Sequence, residues 1–244
     1  MGMTEEAHES PIAAPRGAGI TLALTPDRGM DLHAKVGRAR WFFLVAWLCS
    51  LLLGAVMALR VDARAATLEK LDMSGELATM SDRQIAEETK SAERVFQVLA
   101  IAKGATSAPV QLLGASLSIL VLVWFLRGKV KGSAVLPVAA VTLVPAAVAN
   151  VVDAITAFRR LSVHPDDGAL APRTLTDALM LAGRPLMPPW IKLGNAFDFY
   201  SLWAALILAF GVAAVGQVPR RRAVIGTLVA WVCVRLLTNV AAGR

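Results

Sequence analysis

The chain has 244 residues, 56% of them apolar and 18% charged, with a net charge of +7 and a mean hydropathy of +0.58. A soluble domain carries roughly 45–50% apolar and about 25% charged residues, so a single large water-soluble core is set aside in favour of a multi-span membrane protein. The positive charge is broken into short runs between apolar blocks, which speaks against a nucleic-acid partner and fits the basic bias of membrane loops.

Residues 1–18 are rich in Ala, Pro, Gly and Glu, have little to bury and read as disordered. Up to Arg40 the tail carries no sustained period. A helix needs about 20 apolar residues to cross roughly 30 Å of hydrocarbon, and the first run to qualify is WFFLVAWLCSLLLGAVMAL, 41–59. A signal peptide has an apolar core of about 7–15 residues; here 40 residues precede a 19-residue core, so a retained span is expected. Cys49 in this block and Cys233 in the last one read as small apolar residues, not as a disulfide.

The loop after span one is patterned. Ser81 with Gln84 forms a capping-box signature, and Ile85, Ala92, Val95, Phe96 and Leu99 fall near one helical face, with Glu87, Lys90 and Arg94 on the other. This predicts an amphipathic outer-loop helix lying on the membrane or against the bundle, with partner binding as the sharper alternative. Span two is 108–126, where Gly114 and Ser118, four apart, suit close helix packing. Span three is 133–158, with a kink expected from Pro137 and Pro145.

The second outer loop holds HPDDG, then TLTDALMLAG, then RPLMPPW. His164, Asp166 and Asp167 have metal-ligating side chains, but Pro-Asp-Asp-Gly is more simply a turn and no second cluster completes a site. The middle piece can form a short helix stopped by Gly183. Met187-Pro-Pro-Trp190 is expected to be a rigid interfacial turn. Span four is 199–218 and span five 223–240.

The expected fold is therefore all-α: a five-span transmembrane bundle over 41–241, behind a cytoplasmic tail over 1–40. The links Arg127-Gly-Lys129-Val-Lys131 and Arg220-Arg221-Arg222 hold no acidic residue, whereas 60–103 holds seven basic and eight acidic residues and 159–198 five and four. Undiluted positive loops belong in the cytoplasm, which puts the N-terminus inside and the C-terminus outside.

Catalytic signatures are missing from the sequence. His8, His33 and His164 all lie outside the spans, so Gly114-Ala-Ser116-Leu-Ser118 has no embedded base to activate a nucleophile. There is no HExxH pair and no Gly-rich loop ending in Lys-Ser/Thr. The expectation is a non-enzymatic protein without cofactor or metal.

The polar residues inside the spans form a pattern of their own. Arg235 lies 12 residues into span five, roughly 18 Å from its inner edge. It shares a face with Trp231 and Asn239. Asn150 and Asp153 lie near the outer end of span three, and Asn195, Asp198 and Ser201 recur at three-residue spacing leading into span four. An embedded arginine costs about 2.5–3.5 kcal/mol on insertion scales and normally finds a partner. Arg235 either pairs with Asp198 or Asp153, or snorkels to the outer headgroups. The cluster either sets helix register or lines a polar cavity for a substrate or ion.

The stretch NAFDFYSLWAALILAFG, 195–211, resembles the YIP family of five-span membrane proteins, whose fourth span opens on a Phe-x-x-x-Trp-like segment and runs to a Gly, here Phe199, Trp203 and Gly211. FLRGKVKGSAVLPVAAVTLVP, 125–145, is similar to the family's inner link and proline-bearing third span, here Gly128 and Pro145, and the triple arginine before span five is similar too. The resemblance covers about 40–240, and the extended, charged first outer loop looks like the bacterial branch. It implies a five-span protein of a bacterial inner membrane. Eukaryotic members are associated with Rab-type GTPases, and some bacterial ones sit beside export-type ABC transporters. The leading expectation is an accessory or scaffold subunit with the lipid bilayer and a membrane protein as partners. The alternative is a small transporter or channel using the polar cluster.

Overall fold

The computed structural model describes residues 39–165, 170–184 and 187–241, with side chains at all of these except 188, 189, 192, 193 and 239–241. Among the described residues every regular element is helical. In chain order they are α1 (Ala39–Arg60), α2 (Ala63–Ser74), a 3-10 turn (Glu76–Ala78), α3 (Asp82–Phe125), α4 (Gly132–Val141), α5 (Val144–Arg159), α6 (Leu175–Leu181), α7 (Pro188–Ala196), α8 (Phe199–Gly216) and α9 (Arg220–Ala241). Among the described residues, four stretches are long and apolar enough to cross a membrane: α1, α3, α4 with α5, and α8. The fifth expected segment is also a helix, α9, of 22 residues. Its three leading arginines and Arg235 set it apart from those four. Of the expected N-terminal tail, all but Ala39 and Arg40 lies outside the described residues.

The main core packs Ile119, Val123, Val138, Ile207, Val212 and Val215, but on α1 the pattern is the inverse of a water-soluble helix. α1 buries Ala46, Ser50, Gly54 and Ala58, one small residue per turn, and exposes Trp41, Leu44, Leu48 and Leu52. Water would drive the large side chains inward; small-residue seams with large apolar residues outside are how helices associate in lipid. The partner seam is on α3. A Cβ at Gly54 would stand 2.6 Å from the Ala100 carbonyl oxygen, and one at Gly104 2.7 Å from that of Ser50. Both obstacles are backbone, so the main chains touch here. Trp47 Nε1–H donates to the Ala105 carbonyl at 2.8 Å across the same crossing.

α3 runs for 44 residues, so the amphipathic loop helix and the second span are one element. The capping box at Ser81 forms: Ser81 Oγ accepts from the Gln84 N–H, and Gln84 Oε1 from the Ser81 N–H at 2.9 Å. Beyond it, Lys103-Gly-Ala-Thr106 offers no stop signal strong enough to break the helix, and Pro109 is absorbed within it. The buried line differs from the expected face. Thr89 and Gly104 are buried and Ile85, Ala92, Phe96 and Ala100 half-buried, while Val95 and Leu99 are exposed. The line turns to follow α2 and then α1. Gly114 has open space where a Cβ would stand, so Gly114 and Ser118 are not a packing seam.

The third segment is broken, not merely kinked. A turn at Thr142 and Leu143 separates α4 from α5, and Pro145 sits in the first turn of α5, where its missing N–H costs nothing. The same logic converts the expected turn at Met187–Trp190 into the start of α7, with Pro188 leading. Gly183 follows α6 with φ +68°, the expected left-handed stop.

Each end of the bundle is tied by backbone bonds. At one end the basic links meet: the Lys129 and Lys131 N–H groups donate to the carbonyls of Gly216 and Val215. At the other, Asp62 N–H donates to Val163 and Val163 N–H to Arg60. Leu175 N–H donates to Phe197 and Phe199 N–H to Arg173, which pins the 170–175 loop over the start of α8.

Candidate functional site: a polar-ended groove

On α9 the residues Thr227, Trp231 and Arg235 recur every four positions, hence on one face. That face looks across a groove of about 790 Å3 toward α3 (Gln111, Gly114, Ser118), α5 (Ala146, Asn150) and α8 (Ser201, Ala204, Leu208). The volume is within the roughly 300–1,000 Å3 of small-molecule sites.

The polar end is built around Asp198. As N-cap of α8, its Oδ1 accepts from the Tyr200 N–H at 2.9 Å, a position where helix polarity favours a carboxylate. Its Oδ2 faces the Arg235 guanidinium at 3.7 Å. Between the two candidate anions for Arg235, the partner is therefore Asp198. Asp153 is buried and otherwise engaged: it accepts from the Ala171 N–H at 3.0 Å and lies 3.5 Å from the Arg173 guanidinium.

Arg173 is held in place by the cap of α6. Asp177 Oδ2 accepts from the N–H groups of Arg173 and Thr174 at 2.9 and 2.8 Å. Partial burial alone would raise the Asp177 pKa. The two backbone donors, the Thr174 hydroxyl and the Arg173 charge outweigh it and hold the carboxyl below its ordinary value.

Of the seven residues expected to cluster, Asn150, Asp198, Ser201 and Arg235 line the groove. Asn150 donates to Ser50 Oγ at 2.9 Å, tying α5 to α1, and Ser201 Oγ donates to the Asp198 carbonyl. Asp153 stands behind Arg173. Asn195 ends up near Thr174, with Oδ1 3.5 Å from its hydroxyl. The three-residue spacing of Asn195, Asp198 and Ser201 does not put them on one face, because α7 ends at Ala196 and α8 begins at Phe199. The Asn239 side chain lies outside the described residues. So do Asp166 and Asp167, while His164 Nε2 is 3.5 Å from Glu69.

Thr227 and Arg173 are among the groove residues that escape the sequence reading. Thr227 is 2% exposed, and its hydroxyl has no hydrogen-bond partner; neither has the buried Trp231 Nε1–H, although the indole packs on Phe197 at 5.8 Å. Thr227 had a signal: it extends the stripe of Trp231, Arg235 and Asn239 by one turn. Arg173 had none, because only the tertiary backbone bridge brings its loop to α8. Among the described residues, the lining combines the charged groups of Arg173, Asp198 and Arg235 with an apolar wall. Comparison with protein-family models, with curated proteins and with solved structures finds no match.

Proposed function

We propose that the chain is a non-enzymatic, five-span integral membrane protein that works by holding a ligand in this groove, as a small transporter or binding component. One observation carries the reading: an apolar-walled groove of about 790 Å3 ends in two arginines and one aspartate, with Arg235 and Asp198 facing each other across it.

The N-terminus is proposed to be cytoplasmic and the C-terminus external, in a bacterial inner membrane. The meeting of the basic links 127–131 and 220–222 at one end of the bundle supports that orientation. The resemblance to the YIP family supports the fifth span.

A second reading, an accessory or scaffold subunit beside an export-type transporter, is favoured by α3. At 44 residues it is roughly 66 Å long, about twice the hydrocarbon thickness. It carries α2 along its charged first half, a handle for a membrane partner.

Thiol labelling distinguishes the two. In a Cys49→Ala, Cys233→Ala background, Ser118→Cys is treated with a water-soluble maleimide after purification in mild detergent. A solitary protein that labels at this position supports the binding reading. A stoichiometric co-purifying protein with Ser118→Cys shielded supports the accessory one.

A further inference from the structure

We infer that the groove holds an anionic lipid drawn sideways from the bilayer, its charged head at Arg235 and Arg173 and its hydrocarbon along the apolar wall. The inference rests on the ligand-binding reading and gives that ligand a chemical class.

The first ground is the opening. Leu117 and Val121 of α3 and Val234 of α9 line the groove and are 63%, 52% and 58% exposed. Around a bundle with large apolar residues on its outside, a rim of this kind is continuous with acyl chains. The basic end is shut, with Leu126 packed against Gly226. Entry is therefore lateral.

The second ground is the charge at the open end. Two arginines and one aspartate line the groove. Asp198 already accepts from Tyr200 N–H, and at 3.7 Å from it Arg235 keeps donors to spare. Asp153, 3.5 Å from Arg173, does not itself line the groove. The end is short of acceptor oxygens, which an anionic head supplies.

The third ground is order along the helix. From Arg235 back along α9 the lining runs through Val234, Trp231 and Ala230, so it turns from charged to apolar within two turns. An anionic lipid has the same order, head and then hydrocarbon. A water-soluble anion would leave Leu117, Val121 and Leu208 facing an unfilled apolar slot.

The test uses the full chain, purified in mild detergent, stripped of lipid and reloaded. The probes are phosphatidylglycerol, phosphatidylcholine of the same chains, and inorganic phosphate, with retention read by native mass spectrometry. Expected is one phosphatidylglycerol per chain, retained about tenfold better than phosphatidylcholine and not displaced by phosphate. Arg235→Gln should abolish the preference over phosphatidylcholine. Should Arg235→Gln fail to fold, Val121→Trp, which plugs the mouth, should still cut retention with helicity unchanged. Equal retention of the two lipids would mean ordinary annular lipid and overturn the inference. Saturable phosphate binding that displaces lipid would overturn it too, while leaving the groove a ligand site. Retention of no probe overturns it as well, and the ligand-binding reading falls with it only if Ser118→Cys also resists the maleimide.

Discussion

Arg235 of α9 faces an anion that a helix cap already orients. Asp198 is oriented by its capping bond to Tyr200 N–H, so Arg235 has only its own side chain to order. The Arg235 side chain is 35% exposed, and solvent screening limits what the pair contributes. With α9 in the bilayer as proposed, an arginine at its centre would cost about 2.5–3.5 kcal/mol on insertion scales. Arg235→Asp and Asp198→Arg should each lower the melting temperature in detergent, and the double swap should restore more than half of the loss. Arg235→Asp combined with Asp153→Arg should restore none, because Asp153 belongs to Arg173 and the Ala171 N–H.

Asp177 adds a pH dependence at the same scale. Its folded pKa is lowered from an unfolded value near 3.9. Its contribution is therefore complete above the ordinary carboxylate range and is lost as pH falls through the folded pKa. Asp177→Asn should be less stable than the parent at neutral pH by about 1 kcal/mol, the usual worth of a cap. That gap should close as the pH falls through the lowered folded pKa. Hydrogen exchange across 170–184, the loop that carries Arg173, measures both.

Among the helices, the contact between α1 and α3 sets the geometry of the rest. It is made by main chains, so it cannot yield to a side chain. Gly54→Leu or Gly104→Leu should cost at least the 1–3 kcal/mol typical of overpacking, seen as a lower melting temperature and loss of monodispersity. Gly114→Ala meets nothing and should be neutral or stabilising by up to about 1 kcal/mol, the helix-propensity difference. Sequence reasoning placed small-residue packing at Gly114 and Ser118 and overlooked Ala46, Ser50, Gly54 and Ala58. Both are four-residue patterns, and spacing alone does not say which face meets a neighbour. The merging of the loop helix into α3 was hidden for a related reason. Charge changes abruptly along 82–125 while helix propensity does not, and a hydropathy boundary is no helix boundary.

At the scale of the molecule, the apolar blocks made the helical character legible, and the ends of α1 and α8 fall within two residues of expectation. The polar cluster was legible in part. Residues on regular helices (Asn150, Ser201, Arg235) came together as the periodicity implied, and Asp198 joined them as a cap. Arg173 was not foreseen and Asn195 was misplaced, because both depend on how the 170–198 segment folds back over α8. Such a fold is decided by backbone bonds to residues distant in sequence.

The claim on which the rest depends is that α9, with its arginine, crosses the membrane beside the four more apolar helical stretches. Compartment-sensitive reporters fused separately to the two termini of the full chain test it most directly. The account predicts a cytoplasmic signal at the N-terminus and an external one at the C-terminus. Two reporters in the same compartment would leave α9 outside the bilayer and remove the reason for an ion pair between Asp198 and Arg235.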